Sequence, residues 1–478
     1  MSRSGAGPFP PDGGAPEKSL SASFAGAWPG YPPAVVAGGF YFISGTLGLG
    51  DDGTLVSHWS DLPDEGSALR SGFAAVDAIE GAPGAQAWAV YRRVQTLLGG
   101  READFGDVLQ LHLYQKEKRF FPVLERIRQL YEPAEPAPAS GIGVGDSCFD
   151  GDAWFWVDGI AIDPSTWRFP ERRRVLRHPG VQPPGSHYSQ AVLAGPYVFL
   201  AGQIALDHTR PGSPVVQGYD DIPEEGRFLR VGRSHPDFRD GAIAAQTWFT
   251  YEKIRRVLEV AGGGLEDLAS LTIFLQDMKD YATFHRVHER FLGCALPALT
   301  VVEAREVGHK GTLVEIEAIA LRSSPGLVHR AILPASMRAA GMGAHCSPAR
   351  MAGSLIFVSG QVGLDGAGRL VEDLSGLPVE VRPYAAAVVR MTGRPAATYQ
   401  AFAIFERLAA TVQEVGRSLS ALARIVLYMR DADDFVPFDL ACRHYLPDRR
   451  PALSCVVVPR VSPVLRARLC AEVIAAVD

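Results

Sequence analysis

The sequence predicts an α+β fold written three times in tandem, and two observations carry that expectation. The first is an internal repeat. FYFISGTLGL (Phe40 to Leu49), YVFLAGQIAL (Tyr197 to Leu206) and LIFVSGQVGL (Leu355 to Leu364) share an apolar run, a small residue, a glycine (Gly45, Gly202, Gly360) and a second apolar run, with steps of 157 and 158 residues between copies. The second is that each copy continues with the same succession of patterns, which gives the order strand, strand, helix, strand, helix, strand, strand and places the helices on one face of a sheet.

The elements follow from their periodicity. After the opening strands come Gln86, Trp88, Tyr91 and Val94, matched by Gln246, Trp248, Tyr251 and Ile254 and by Gln400, Phe402, Phe405 and Leu408. That spacing is helical, and the aromatic stripe reads as a buried core face. A strand follows (LQLHLYQ from Leu109, LTIFLQD from Leu271, IVLYMRD from Ile425), then a second helix over Phe121 to Leu130, Tyr281 to Phe291 and Phe435 to Tyr445. A Pro-Ala dipeptide at 138, 297 and 451 introduces the last strands, which end in WVDGIAI, VEIEAIA and CAEVIAA. Such a unit leaves one sheet face bare, so three copies in one chain are expected to cover each other around a pseudo-threefold axis. Val175-Leu176 and Ala331-Ile332-Leu333 are expected to supply a first strand to the second and third copies. The expected division is a disordered Pro/Gly/Ser-rich leader over 1–26 and modules over 27–164, 165–322 and 323–478.

Composition narrows the function. The 478 residues carry 47 Lys+Arg against 53 Asp+Glu and are 47% hydrophobic, which excludes wholesale disorder and makes nucleic acid and acidic membranes poor partners. No apolar run approaches the roughly 20 residues that span a bilayer. Six cysteines without a C-x-x-C pair suggest neither a zinc ribbon nor a disulfide framework, and fit a reducing cytoplasm. The run from Gly45 to Gly50 matches no nucleotide loop, and Glu171 to His178 (ERRRVLRH) reads as a solvated linker. His285 and His288 stand three apart on a helix, without the H-E-x-x-H arrangement or a distant third ligand, so neither a metal nor another cofactor is expected.

The middle copy resembles the RidA/YjgF family of imine/enamine (reactive-intermediate) deaminases. It carries Tyr188-Ser189-Gln190, Ala201-Gly202-Gln203-Ile204, Phe274-Leu275-Gln276-Asp277, Pro297-Ala298 and Val314 to Ala320 in the family's order. The third copy is similar through Ser359-Gly360-Gln361-Val362, Pro451-Ala452 and Ser454-Cys455; the first is the most degraded. The resemblance covers about 27–478 and implies chorismate-mutase-like units, a homotrimer fused into a monomeric single-chain pseudo-trimer, and ligand clefts between neighbouring units.

It also implies roles. The family anchors a substrate carboxylate with an arginine directly after Pro-Ala, where this chain has Ser140, Leu299 and Leu453; either the substrate lacks that carboxylate or another cation such as Lys310, Arg305 or Arg460 reaches it, and the expected substrate is larger or less acidic than a simple amino-acid imine. The water-activating glutamate corresponds to Glu315, replaced by Trp156 and Cys470 in the other copies, while Glu317, Asp158 and Glu472 hold a second acid that reads as a structural tie. Tyr188 and Gly202 are expected to line the cleft, Tyr31 repeats the tyrosine in the first copy, and Cys455 stands at the family's reactive-cysteine position. His285 falls at a cleft-facing polar position with Asp439 and Leu124 as counterparts. The expected function is hydrolysis or tautomerisation of an imine or enamine on a small molecule, as a tailoring step of specialised metabolism. The alternatives are a chorismatase-like lyase, hydrolase or cyclase, whose family also uses a V-E-I-E strand, and a noncatalytic binder or scaffold.

Overall fold

The computed structural model describes residue 28 and residues 30–145, 151–181, 185–293, 296–324, 326–334, 337 and 346–477. The expected leader over 1–26, Cys148 and Cys294 lie outside them. The first unit runs β1 (Ala34–Ala37), β2 (Phe40–Leu47), α1 (Ala74–Gly99), β3 (Val108–Gln115), α2 (Phe121–Tyr131), β4 (Ala139–Gly143) and β5 (Phe155–Ile162). The second runs β6 (Arg174–Leu176), β7 (Ala191–Ala194), β8 (Tyr197–Gln203), α3 (Ser234–Val260), β9 (Leu268–Leu275), α4 (Tyr281–Leu292), β10 (Ala298–Glu303) and β11 (Val314–Leu321). The third runs β12 (His329–Ile332), β13 (Ala349–Ala352), β14 (Leu355–Gln361), α5 (Arg382–Thr392), α6 (Pro395–Gln413), β15 (Leu422–Met429), α7 (Phe435–Tyr445), β16 (Ala452–Val457) and β17 (Leu469–Ala476).

Each unit builds one sheet of the same order: β1-β2-β5-β3-β4, then β6-β7-β8-β11-β9-β10, then β12-β13-β14-β17-β15-β16. The strand before each second helix pairs in parallel with the strand after it, because a helical crossover returns the chain in the same direction. The basic run expected as a linker holds β6, which pairs with β7. The long helix is continuous in two units and broken in the third, where Gly393 at φ +67 caps α5 and Pro395 opens α6.

Period-two alternation assigns the two sheet faces. Under the helices each unit has its own core: Tyr91, Leu111 and Leu124 in the first, Tyr251, Leu271 and Phe284 in the second, Phe405, Leu427 and Phe438 in the third. The opposite faces share apolar layers drawn from all three units, with Phe42, Leu109, Phe199, Ile319, Phe357 and Ile474 in one layer. Contacts between units run in cyclic order: β4 meets β8, β10 meets β14, and β16 meets β2.

Where the three sheets meet, the layer is ionic. His112 of the first unit places Nδ1 2.5 Å from Asp158 Oδ1 and Nε2 2.8 Å from Glu317 Oε1 of the second. Arg424 of the third donates to Asp158 Oδ1 at 2.7 Å, and Thr272 of the second donates to Glu472 of the third at 2.8 Å. The second acid of every copy is thus a tie to a neighbouring unit. With carboxylates at both ring nitrogens, the His112 imidazole is pulled up to about 10 against the cost of its burial, and Arg424 and His112 hold Asp158 well below the usual carboxylate range despite its burial. Burial pushes Glu472 up, against Arg424.

Removing one member of such a buried set leaves an uncompensated charge. Asp158→Asn is expected to cost about 3–5 kcal/mol, read as a lower urea midpoint. Because the folded-state value of His112 is raised from 6.5 to about 10, its contribution is fully present below about pH 6.5 and is lost as pH rises through 10. The urea midpoint should fall over that window, and less steeply in His112→Gln.

Candidate active site

A cavity of about 820 Å³ opens between the first and second units. Its second-unit wall is Glu315 on β11, Gly202 at the end of β8, Tyr188 before β7, and the loop carrying Arg305, His309 and Lys310. The first unit supplies Leu113, Lys118, Arg119 and Phe121 from the end of β3 through the start of α2. Two backbone hydrogen bonds between Gly143 and Glu306, 2.9 and 3.1 Å, stitch the units together at the cavity edge.

Glu315 is buried, and its Oε2 accepts from the Gly308 amide at 3.0 Å. Burial pushes its carboxyl up to about 7, opposed by the positive charge of Lys118 and by the Gly308 hydrogen bond, and reinforced by Glu317. Lys118 crosses from the first unit, donating to Gly141 O at 2.7 Å and to Gly308 O of the second unit at 3.0 Å. Burial lowers its ammonium value, while Glu315 and Glu306 pull it back up. The Tyr188 phenol is pushed up to about 12, by burial and then by Glu315, so it stays protonated. A buried carboxyl that titrates near neutrality, a fixed cation and a phenol in one cleft can exchange protons with a bound molecule.

The glycine of the repeat has a steric cause here. A Cβ on Gly202 would fall 2.0 Å from Glu315 Oε1 and 2.8 Å from its carboxyl carbon, so the bare Cα is the seat of the acid. The Gly202 amide donates to Ser140 Oγ of the first unit at 3.1 Å, and that hydroxyl donates to Glu317. At the other two unit contacts the tie is reversed: the Leu299 and Leu453 amides donate to Ser359 and Ser44 Oγ at 2.7 and 3.0 Å. Ala201, standing in the serine's place, cannot accept, and Ser140 at the missing arginine's position closes the gap.

The structure brings Glu315, Tyr188, Gly202, Lys310 and Arg305 into one cleft and separates them from the other expected site residues. Arg460 faces Glu303 at the contact of the second and third units. His285 does not line this cavity. It lies on α4 against Tyr281 and His288, and Tyr281 faces Cys346 of the third unit, so this helix looks towards the next contact. The helix starts at Phe121, Tyr281 and Phe435 also make Glu125, rather than Leu124, its counterpart in the first unit. Leu124 is buried in the core, and Glu125 accepts from the His187 amide and from Arg128.

Tyr31 and Asp439 lie at the contact of the first and third units, which is filled. Trp28 is buried there with Nε1 donating to Gly45 O at 2.8 Å and its ring 6.1 Å from Phe435, while Trp156 occupies the acid's position and stacks on Tyr114. Tyr31 is covered by the Arg450 guanidinium at 4.9 Å, and Asp439 is held by Arg443 at 2.8 Å and Arg450 at 3.3 Å. At the remaining contact, Cys470 takes the acid's place, and a Cβ on Gly360 would meet its sulfur at 2.7 Å. Cys455 is fully buried in the third unit's own core under the helices, away from any cleft. Lys118 was not anticipated. Its counterparts are Met278 and Ala432, so aligning the three copies would have marked it as the one cation at that position.

Gly202→Ala is expected to leave the fold intact, because the atoms it meets are the far end of a mobile side chain and its φ lies outside the left-handed region. It should displace the Glu315 carboxyl and lower any Glu315-dependent turnover by about 100-fold or more, the cost of an ångström-scale misplacement. Far-UV circular dichroism and turnover together check this.

The family model described as Endoribonuclease L-PSP matches residues 230–322. A RutC family protein of Pyrococcus horikoshii is 34% identical over 135 residues, 28% of this chain and 86% of that protein. The 2-iminobutanoate/2-iminopropanoate deaminase of Salmonella typhimurium is 32% identical over 116 residues, 23% of this chain and 88% of that enzyme. Among solved structures, RidA of an Antarctic Psychrobacter is 25% identical, covering 31% of this chain and 98% of that one at a TM-score of 0.25. With one relative matched over most of its length and three α+β units of common strand order in the chain, the protein belongs to the RidA/YjgF superfamily, in three tandem copies.

Proposed function

We propose that the chain is an enzyme of the imine/enamine deaminase type working at the cleft between its first and second units. The observation that carries this reading is Glu315, a buried carboxyl pushed up to about 7 inside a cavity of about 820 Å³. Ionised Glu315 takes a proton from water as the water oxygen attacks the imine carbon. That proton passes to the imine nitrogen to give the carbinolamine; Glu315 then takes the carbinolamine's hydroxyl proton and passes it to the NH2 group, so that the C=O bond forms as the C–N bond breaks and ammonia leaves. Lys118 holds the substrate's anionic group beside Glu315, and Tyr188 donates a hydrogen bond from its protonated phenol. The names of the deaminase relatives support the reaction class.

The three units over 27–164, 165–322 and 323–478 are modules of a chorismate-mutase-like intramolecular pseudo-trimer, and the cyclic contacts between their sheets support that arrangement. A chain of 51.5 kDa that closes on itself should scatter light as a monomer. One working cleft among three suits a dedicated tailoring step on one small molecule. Among the described residues no helix is long and apolar enough to cross a membrane.

The test is hydrolysis of 2-imino acids generated by an amino-acid oxidase, with semicarbazide trapping what remains. Glu315→Gln should lower the rate 100-fold or more; an unchanged rate would sink the reading in favour of a noncatalytic binder. Because the ionised form is the base, kcat/KM should rise with pH through about 7 and level off above it. Lys118→Met removes a cation that holds Glu315 down, so the profile should move to higher pH. The same raised value means that folding favours protonated Glu315, and stability is lost as pH rises from about 4.5 through 7. Glu315→Gln should therefore be more stable than the parent at pH 8, by roughly 3 kcal/mol on the linkage arithmetic, measured by urea denaturation.

A further inference from the structure

The cleft's charges are arranged on two levels. Lys118 is half-buried, bonded to Gly141 O and Gly308 O, with its charge felt by Glu315 at the floor. Arg305 and Lys310 are exposed on the loop that forms the mouth, and neither makes an ion pair among the described residues. Arg119 beside them is held by Glu117 at 2.6 Å, and Arg128 deeper in the wall is neutralised by Glu132 at 2.9 Å. Between floor and mouth the walls are apolar, through Leu113, Phe121, Ile204 and Val307. The only acidic side chains lining the cavity among the described residues are Glu306 and Glu315. A volume of about 820 Å³ is far more than a four-carbon imino acid fills and suits an elongated ligand.

From this layout we infer the substrate class: an imine or enamine acid with a second anionic group at the far end of an apolar chain, its near carboxylate on Lys118 and its distal anion on Arg305 and Lys310. The inference rests on the imine-hydrolysis reading of the same cleft. A lone ammonium recognises an anion as a point charge and needs no bidentate fork, so Lys118 takes over the work of the missing arginine from the same wall. The two mouth cations lie in high dielectric, where they add selectivity that salt screens. Lys118 is a positioning residue, since it fixes the end of the molecule that must lie against Glu315.

The test compares 2-iminopimelate with 2-iminoheptanoate, equal in length and differing in the distal carboxylate, each formed in situ by an amino-acid oxidase and trapped with semicarbazide. The full chain should favour 2-iminopimelate at least tenfold in kcat/KM, and the preference should shrink in 0.5 M NaCl. Arg305→Ala/Lys310→Ala should bring the ratio to about one. Lys118→Met should raise KM for both substrates, with partial rescue by Lys118→Arg. Calorimetry with the stable analogues 2-hydroxypimelate and 2-hydroxyheptanoate separates recognition from chemistry. Turnover that depends on Glu315 but ignores the distal carboxylate overturns the substrate class and keeps the deaminase reading. Tighter binding of 2-hydroxypimelate through Arg305 and Lys310, with neither imine hydrolysed, keeps the recognition and overturns the chemistry. Equal, weak binding of both analogues and no preference in turnover overturns this inference outright.

Discussion

Everything else in this chain depends on the ionic cluster where its three sheets meet. Two cations and three acids are buried there, and each tie joins two units: His112 to Glu317, Arg424 to Asp158, Thr272 to Glu472. Three identical subunits could not build this set of ties, because symmetry would repeat one tie three times. A fused chain makes each tie from a different donor: a histidine, an arginine and a threonine on its three central strands. The arrangement also fixes which unit neighbours which, a registry role that buried polar groups serve better than they serve stability.

That registry decides where chemistry is possible. The same glycine stands at all three unit contacts, yet it faces a different partner at each. Gly202 seats a carboxylate, Gly360 a thiol and Gly45 the Trp28 indole. Filling the contact of the first and third units with Trp28 and Trp156 adds burial and dispersion. Leaving the contact of the first and second units with a desolvated acid works against folding, because a carboxyl pushed up to about 7 is ionised at a free-energy cost above neutrality. The filled contact and the central ties offset that cost.

The sequence made the units legible and the site only in part. Repeats, helical stripes and period-two strands are local patterns, so element order could be read directly and Gly202 and Glu315 were both expected at a cleft, while the seating of the acid on the bare Cα of Gly202 was not. A cleft between units is not local. His285 was assigned to it through the helix position it occupies, but α4 looks towards the third unit, and the wall facing Glu315 comes from α2 and its preceding loop. Lys118 was overlooked because divergence of the first copy reads as decay, whereas the most divergent copy supplies the cleft's second wall. Cys455 shows the opposite error. Its motif position suggested a cleft, but the pleat of β16 turns it under the helices.

Ser140 and Lys118 both come from the first unit and meet the second. Ser140 sits where a guanidinium would reach, and its hydroxyl spans the Gly202 amide and Glu317, so the anchor's place now belongs to the tie between floor and centre. Ala201 makes this necessary, since it cannot offer the hydroxyl that Ser44 and Ser359 offer at the other contacts. With an arginine there, the Gly202 amide and one oxygen of Glu317 would lose a neutral partner, and a second fixed cation beside Glu315 would pull its carboxyl down from neutrality. Lys118 stands in the cleft at a lower electrostatic cost: it is tethered by two carbonyls, burial lowers its ammonium value while Glu315 and Glu306 pull it back up, and no salt bridge joins it to Glu315 among the described residues. The acid therefore stays near 7, in the one contact where the repeat's glycine seats a carboxylate.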